Sequence, residues 1–484
     1  MIRQIWTREA LAAATLSALC VYALALLSPA IFNDADTFWH IRAGQWMIAH
    51  HAVLDHDIFS LPFAGRFWDT QEWLSEVLLA GAFQISGWSG VAVLTGTAMA
   101  ATAALLALYL SRYLDPVPCI AVLALALGCV MPDYLARPHI LALPFLTAWT
   151  IGLVDAADSQ RAPHWPLLPL MAIWANLHGS FVLGLAFIPP LALDSMLAAK
   201  EQRARLAAHW CLFATASVVA ALLNPRGLDG LLFPFKLMSV HSLSAIGEWK
   251  SLDLHTLNPV VLATAAGLFF LIWRGIRLSS VRVLLLLALL YQTLLHTRYG
   301  MILGIAGAVL VALPIGTSLK RDPASSTPLP HWRLVAAGIA ALFVITAALR
   351  IAVPIRRGDE AVEPLTALAA VPPSLAAKPM FNNYSFGGIL IWKGIRPLVD
   401  SRADFYGDKW LSQYAQAVNG DQATIDRLFQ RYHVAWTLLE PADPLVTALD
   451  HRPGWHRLFT GPYAVVQAGP EAFAATNEAL RAQN

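Results

Sequence analysis

Charge is what this sequence has least of. Asp, Glu, Lys and Arg make up 13% of its 484 residues, where a soluble protein carries about a quarter. With 57% hydrophobic residues and a mean hydropathy of +0.56, that deficit excludes an ordinary soluble enzyme and predicts a polytopic α-helical membrane protein. The formal net charge of +2 is too small to attract nucleic acid. Cysteine is scarce as well. Cys20, Cys119, Cys129 and Cys211 all sit in apolar runs, with no CxxC pair and no histidine at ligand spacing. They read as buried membrane thiols and leave the redox compartment open. There is no internal repeat, no low-complexity tract, no glycine-rich phosphate loop and no Ser-His-Asp constellation.

What is there is a series of apolar runs. The first, Ala10 to Ile31, follows Arg3 and Arg8 and has no convincing small-residue cleavage site, so it reads as a retained first span rather than a signal peptide. Further runs fall at roughly 73–86, 91–111, 118–131, 139–154, 166–176, 179–198, 206–223, 259–273, 282–296, 299–317 and 333–353. The expectation is 11 or 12 spans within residues 1–353, several short of the ~20 residues that a straight crossing needs. Basic residues set the orientation. Arg3, Arg8, "KEQRAR" (200–205), "WRGIRLSSVR" (273–282) and "LKRD" (319–322) should be cytoplasmic. The loops around Arg137 and His139, Asn176 and His178, Arg226, and Arg298 then face outward, as does the tail. An inner N-terminus and an outer tail require an odd number of crossings, so either one segment between Glu72 and Met131 does not cross or one run is wrongly split.

The first outer loop, residues 32–72, carries unusual chemistry. In "FNDADTFWHIRAGQWMIAHH" (32–51), Asp36 and Thr37 make a good helix start. A helix from there to about His50 places Asp36, His40 and Gly44 on one face, with Trp39, Trp46 and Met47 on another. Tryptophans beside a span suit an interfacial helix, holding a carboxylate and an imidazole at fixed depth beside the lipid. Asp55, His56, Asp57, Asp69, Glu72 and Glu76 follow. Asp34, Asp36, His40, His56 and Asp57 are also oxygen and nitrogen ligands suited to a divalent metal ion, although their spacing is specific to none.

The motifs "DADTFWHIRAGQWM", "QEWLSE", "ARPH", "NLHGSFVLG", "LNPRG" and "NNYSFGGILIW…PLVDSRADFYGD" resemble those of uncharacterised bacterial membrane proteins described as similar to the GT-C superfamily. That superfamily comprises membrane glycosyltransferases that use polyprenyl-phosphate sugars. The resemblance spans nearly the whole chain and implies a GT-C-like membrane domain. It implies a polyprenyl-phosphate-linked sugar donor and a lipid, glycan or protein acceptor in the cell envelope. Well-known members place an adjacent Asp-Glu pair after the first span, whereas here the acids are Asp34 and Asp36. Either is the candidate catalytic base. Arg137, Arg226 and Arg298 are candidate partners of the leaving phosphate. His40, Glu72, His139, Asn176 and His178 complete the expected substrate-binding set.

From Pro354 the character changes. No run of span length follows, and 12 Lys and Arg nearly balance 13 Asp and Glu over residues 354–484. This predicts a small soluble α/β domain. "GGILIWK" and "HVAWTLLE" read as strands, "DKWLSQYAQAV" and "QATIDRLFQRY" as helices, and "WHRLFTGPYAVVQAG" as a hairpin around Gly461 and Pro462. Gly387-Gly388 reads as a tight turn or a close backbone approach, and Asp400, Arg402 and Asp404 as a salt-bridged network. Rival readings of the whole chain are a transporter or flippase, and a non-catalytic envelope assembly protein. The clustering of polar residues at span ends and the lack of a repeat speak against transport.

Overall fold

The computed structural model describes residues 7–199, 201, 203–240, 249–320 and 331–474. Arg3, parts of "KEQRAR" and half of "LKRD" lie outside these. The helices are, in chain order, α1 (Arg8–Leu27), α2 (Asp36–His50), α3 (Trp73–Leu110), α4 (Pro116–Gly128), α5 (Pro138–Asp158), α6 (Leu167–Leu177), α7 (Phe181–Ala186), α8 (Ile188–Ala198), α9 (Arg203–Ala221), α10 (Leu228–Met238), α11 (Pro259–Trp273), α12 (Ser280–Leu295), α13 (Gly300–Ser318) and α14 (Trp332–Ala352). The chain divides into two compact units. The first comprises residues 1–28, 85–235 and 244–354; the second comprises 29–84, 236–243 and 355–484. The first outer loop therefore clusters with the tail, not with the apolar bundle.

Among the described residues, seven helices are long and apolar enough to cross a membrane, and four shorter apolar helices accompany them. The expected runs 73–86 and 91–111 are two helices on either side of a kink within α3. The kink falls at Ser86 and Gly87, where Gly87 takes a positive φ of 59°. Apolar side chains cover the outside of the bundle. On α14 Leu334, Val344 and Leu349 are all exposed, a surface that water does not tolerate at this extent.

Inside the first unit, charge is confined to helix ends. Arg282 at the start of α12 donates from Nε to Asp194 of α8 at 2.9 Å and from Nη2 to Asp158 at the end of α5. Arg112 donates to Asp155 at 2.8 Å. These pairs bring the ends of α3, α5 and α8 and the start of α12 to the same end of the bundle.

The second unit is built on a four-stranded sheet in the order β1-β2-β4-β3, of β1 (Met380–Asn382), β2 (Trp436–Leu439), β3 (His456–Thr460) and β4 (Val465–Ala468). β1 and β2 are parallel; β2 with β4 and β3 with β4 are antiparallel. The expected strand in "HVAWTLLE" and the hairpin around Gly461 and Pro462 are both present. So are the two amphipathic helices, Asp408–Val418 and Gln422–Tyr432. Their apolar faces bury Trp410, Leu411, Tyr414, Ile425 and Leu428.

"GGILIWK" corrects the expectation. It forms a helix, Gly387–Trp392, rather than a strand. Its two glycines are close-approach positions with helical backbone, not a turn. A Cβ on Gly387 would lie 2.4 Å from the Asp400 Cα, and one on Gly388 only 1.9 Å from the Ala35 carbonyl oxygen. On the other side of α2, a Cβ on Gly44 would meet the Glu76 carbonyl oxygen at 2.0 Å. Helix α2 is thus held by two backbone contacts that only glycine permits. Alanine at an exposed helical site is worth up to about 1 kcal/mol over glycine. At Gly388 that gain is overwhelmed, and Gly388→Ala is expected to lower the melting temperature of the purified protein. Gly81→Ala, at a helical glycine with open space around it, is expected to leave it unchanged or raise it. Equal melting of the two variants would dismiss the close-packing account.

Candidate functional site

The helix expected from Asp36 to about His50 runs over Asp36–His50. Its cap differs from the expectation. Asp34, not Asp36, supplies the capping carboxylate, accepting the Asp36 backbone N–H at 2.5 Å. The helix is not an interfacial one either. Asp36, Phe38, Trp39, His40, Ile41, Gly44 and Met47 are all buried within the second unit, where α2 packs on Gly387–Trp392. The tryptophan face that suggested a lipid anchor is occupied by protein: Trp39 packs edge-on to Trp68 at 5.6 Å, and Phe38 lies 6.1 Å from Trp392.

At the start of this helix several sequence-predicted residues come together. Trp39 shares its indole N–H between Asp36 Oδ1 at 3.2 Å and Ser401 Oγ at 3.0 Å. His40 Nδ1 lies 3.2 Å from Glu76 Oε1, and its Nε2 lies 3.9 Å from Glu72 Oε2. Asp34 and Asp36 retain 7% and 6% of their accessible surface and His40 only 2%. Burial pushes the His40 imidazole down to about 3, against the opposing pull of the Asp34 charge and with the Arg402 charge assisting. A neutral ring is therefore held beside the carboxylates. Burial also pushes the Glu76 carboxyl that the ring meets up to about 8, against the opposing Arg402 charge.

The sign of the pH effect follows. An unfolded histidine titrates near 6.5, so between 6.5 and about 3 the unfolded chain binds the extra proton. The His40 contribution to stability is complete above 6.5 and is lost as pH falls toward 3. His40→Gln is expected to flatten the fall in melting temperature between pH 7 and pH 4.5. Parallel curves for the two proteins would remove the neutral-imidazole assignment.

Asp400 and Arg402 form a salt-bridged pair as expected, while Asp404 makes no ion pair with Arg402 among the described residues and feels it only through its charge; the network reaches further than the tail. Arg402 donates from Nε to Asp400 Oδ1 at 2.8 Å and from Nη2 to Asp400 Oδ2 at 2.7 Å. The same Nη2 pairs with Asp57 Oδ1 of the first loop at 2.8 Å. The guanidinium lies over Trp68 at 4.4 Å and Phe405 at 4.9 Å. Tyr406 donates to Asp400 at 2.8 Å. A second arginine of the tail, Arg357, donates to the Phe32 carbonyl at 3.2 Å and pairs with the buried Glu363. Neither arginine was singled out from sequence as a partner of the first loop, since their contacts are with residues more than 300 positions away.

The metal candidates are dispersed. Asp57 is engaged by Arg402 and by Ser60, whose hydroxyl donates to it at 2.6 Å. His56 pairs with Asp55 at 2.8 Å and is exposed. Among the described residues no three His, Cys, Asp or Glu side chains converge in an arrangement that would hold a metal ion.

The remaining candidates belong to the first unit. His139 and His178 lie with ring centroids 6.2 Å apart. His139 Nε2 donates to the Asp133 carbonyl at 2.8 Å. His178 Nδ1 accepts the Ser180 backbone N–H at 3.1 Å, which leaves the ring proton of the neutral form on Nε2. Asn176 ties "ANLHG" to "LNPRG" by donating to the Leu223 carbonyl at 2.8 Å. Next to it Arg226 donates its backbone N–H to Asn224 Oδ1 at 2.8 Å. Arg298 stacks on Trp249 at 4.4 Å. The structure therefore joins His139 with His178 and Asn176 with the Arg226 loop. Arg137 precedes α5 as its N-cap residue. Compared with known proteins, the chain matches no family model, and no curated protein matches it significantly.

Proposed function

We propose that the chain is a multi-pass membrane glycosyltransferase of GT-C type, seated in the inner membrane with its tail on the outer side. It would transfer sugar from a polyprenyl-phosphate donor to an envelope lipid, glycan or protein. The observation that carries this reading is the pair Asp34 and Asp36 at the start of α2. Both are nearly buried, Asp36 is oriented by the Trp39 indole, and a neutral His40 lies on the same helix face. A sugar on a lipid phosphate already has a good leaving group, so the chemistry needs a base for the acceptor rather than a general acid. Asp36 is assigned that role, while Asp34 caps the helix and holds its neighbour in place. Arg137, Arg226 and Arg298 stay candidates for the departing phosphate on the chemistry of the guanidinium group alone. Seven helices long and apolar enough to cross a membrane, with four shorter apolar ones among the described residues, support the multi-pass part of this reading.

The test is mass spectrometry of envelope glycans and lipids from a strain lacking the protein, complemented with wild type or with Asp36→Asn. A sugar lost on deletion and restored only by wild type supports the transferase. A transporter is the second reading, with the buried Arg282, Asp158 and Asp194 set as its candidate polar site, although these residues lie toward helix ends. That reading predicts an unchanged glycan profile and a solute whose passage depends on Arg282.

A further inference from the structure

The face of α2 opposite Asp36, His40 and Gly44 carries Arg42, Gln45 and Trp46, since these positions fall about half a turn away on a helix of 3.6 residues per turn. This face opens into a cavity of about 370 Å³ inside the second unit, whose wall is completed by Phe59, Ile395 and Arg396, among others. The volume falls in the range of small-molecule sites. No acidic side chain lines it. Arg42 hydrogen-bonds Gln45 Oε1 at 3.2 Å and lies over Trp392 at 5.6 Å. Arg396 is exposed and makes no ion pair among the described residues. Asp57, next in sequence to the cavity wall, is already neutralised by Arg402. Two guanidinium groups thus line one recess with no carboxylate on its wall to balance them, beside a phenyl ring, three isoleucines and the Trp46 indole, one side of which stacks on His50 at 4.2 Å.

We propose that this recess binds a phosphorylated sugar. Arg42 and Arg396 would take the phosphate by charge-assisted hydrogen bonds, and Trp46 and Phe59 would receive the apolar face of the ring, with Gln45 within reach of its hydroxyls. The site is distinct from Asp34 and Asp36 and does not depend on the transferase reading. Its ligand is either a soluble sugar phosphate or the phosphate-bearing head of a membrane lipid, and both present the same chemistry to the two arginines.

The experiment uses the full-length protein in nanodiscs and equilibrium binding of radiolabelled glucose 1-phosphate. Saturable binding is expected, weakened by salt, displaced by inorganic phosphate and absent for glucose. Arg396→Ala, at an exposed position that does not hold the fold, is expected to weaken it at least tenfold, and Arg42→Gln similarly. Nanodiscs of phosphatidylcholine alone are compared with discs containing phosphatidylglycerol. Competition by the anionic lipid identifies a lipid head as the source, and its absence identifies a soluble or glycan-borne phosphate. Equal binding by wild type and Arg396→Ala, or equal binding of glucose and glucose 1-phosphate, would overturn the proposal.

Discussion

Arg402→Ala is expected to destabilise the unit formed by the first loop and the tail by about 3–5 kcal/mol, the usual cost of removing one member of a buried ion pair. The arginine is 2% exposed, and Asp57 and Asp400, which it neutralises, are 1% and 0% exposed. Removing the cation leaves two carboxylates facing each other in a low-dielectric interior, where neither is solvated. It also strips the cation from the faces of Trp68 and Phe405. Arg402→Lys restores little, because an ammonium cannot reproduce the two-pronged contact with Asp400. The defect carries a pH signature. The stranded carboxylates regain a partner by protonating, so the loss in the variant should shrink as the pH is lowered from 7 to 5, opposite in direction to the wild-type trend attributed to His40. Thermal unfolding of full-length protein in detergent at both pH values measures this. A variant melting within a degree of wild type would show that the network is dispensable.

Asp36→Asn is expected to reduce sugar transfer by about 10²–10⁴, the span that a positioned general base contributes. The substitution keeps the shape of the side chain and retains an oxygen for the Trp39 N–H, so its effect on folding should be small. Asp34→Asn keeps the capping oxygen that receives the Asp36 N–H and should cost no more than a few tenths of a kcal/mol in helix stability. Its activity should stay within tenfold of wild type. Transfer is read in membranes carrying each variant at matched abundance, by appearance of the labelled acceptor. Full activity of Asp36→Asn would remove the proposed base. Loss with Asp34→Asn alone would exchange the roles of the two acids.

These expectations rest on features of unequal visibility in the sequence. Helix α2, the hairpin around Gly461 and Pro462 and the two amphipathic tail helices were legible because capping chemistry, turn residues and apolar spacing are local. The strand expected in "GGILIWK" was misread for the complementary reason. A short run rich in Ile favours a strand by composition, and its packing as a helix against α2 is a tertiary effect that overrides propensity. The break between the runs 73–86 and 91–111 falls at Ser86 and Gly87, where the helical backbone is interrupted. Asp34, Asp36 and His40 were legible as neighbours because they lie within a turn or two of one another, whereas the approach of Glu72 and Glu76 to His40 had no local signal. The Arg402 bond to Asp57 had no such signal. "DHD" suggested metal ligands, and only the fold shows that one of its carboxylates is spoken for by a guanidinium from the tail.

The dependence of the first loop on the tail has a temporal side. Trp39 and Ser401, joined through a hydrogen bond, are 362 residues apart. At the usual rate of synthesis, roughly 20 to 70 seconds separate their emergence from the ribosome. Throughout that interval the nascent chain holds Asp57, Trp39 and Phe38 without the cation and rings that later enclose them. A truncation anywhere before Arg402 would leave the early segment permanently in this unfinished condition, a ready target for proteases and chaperones.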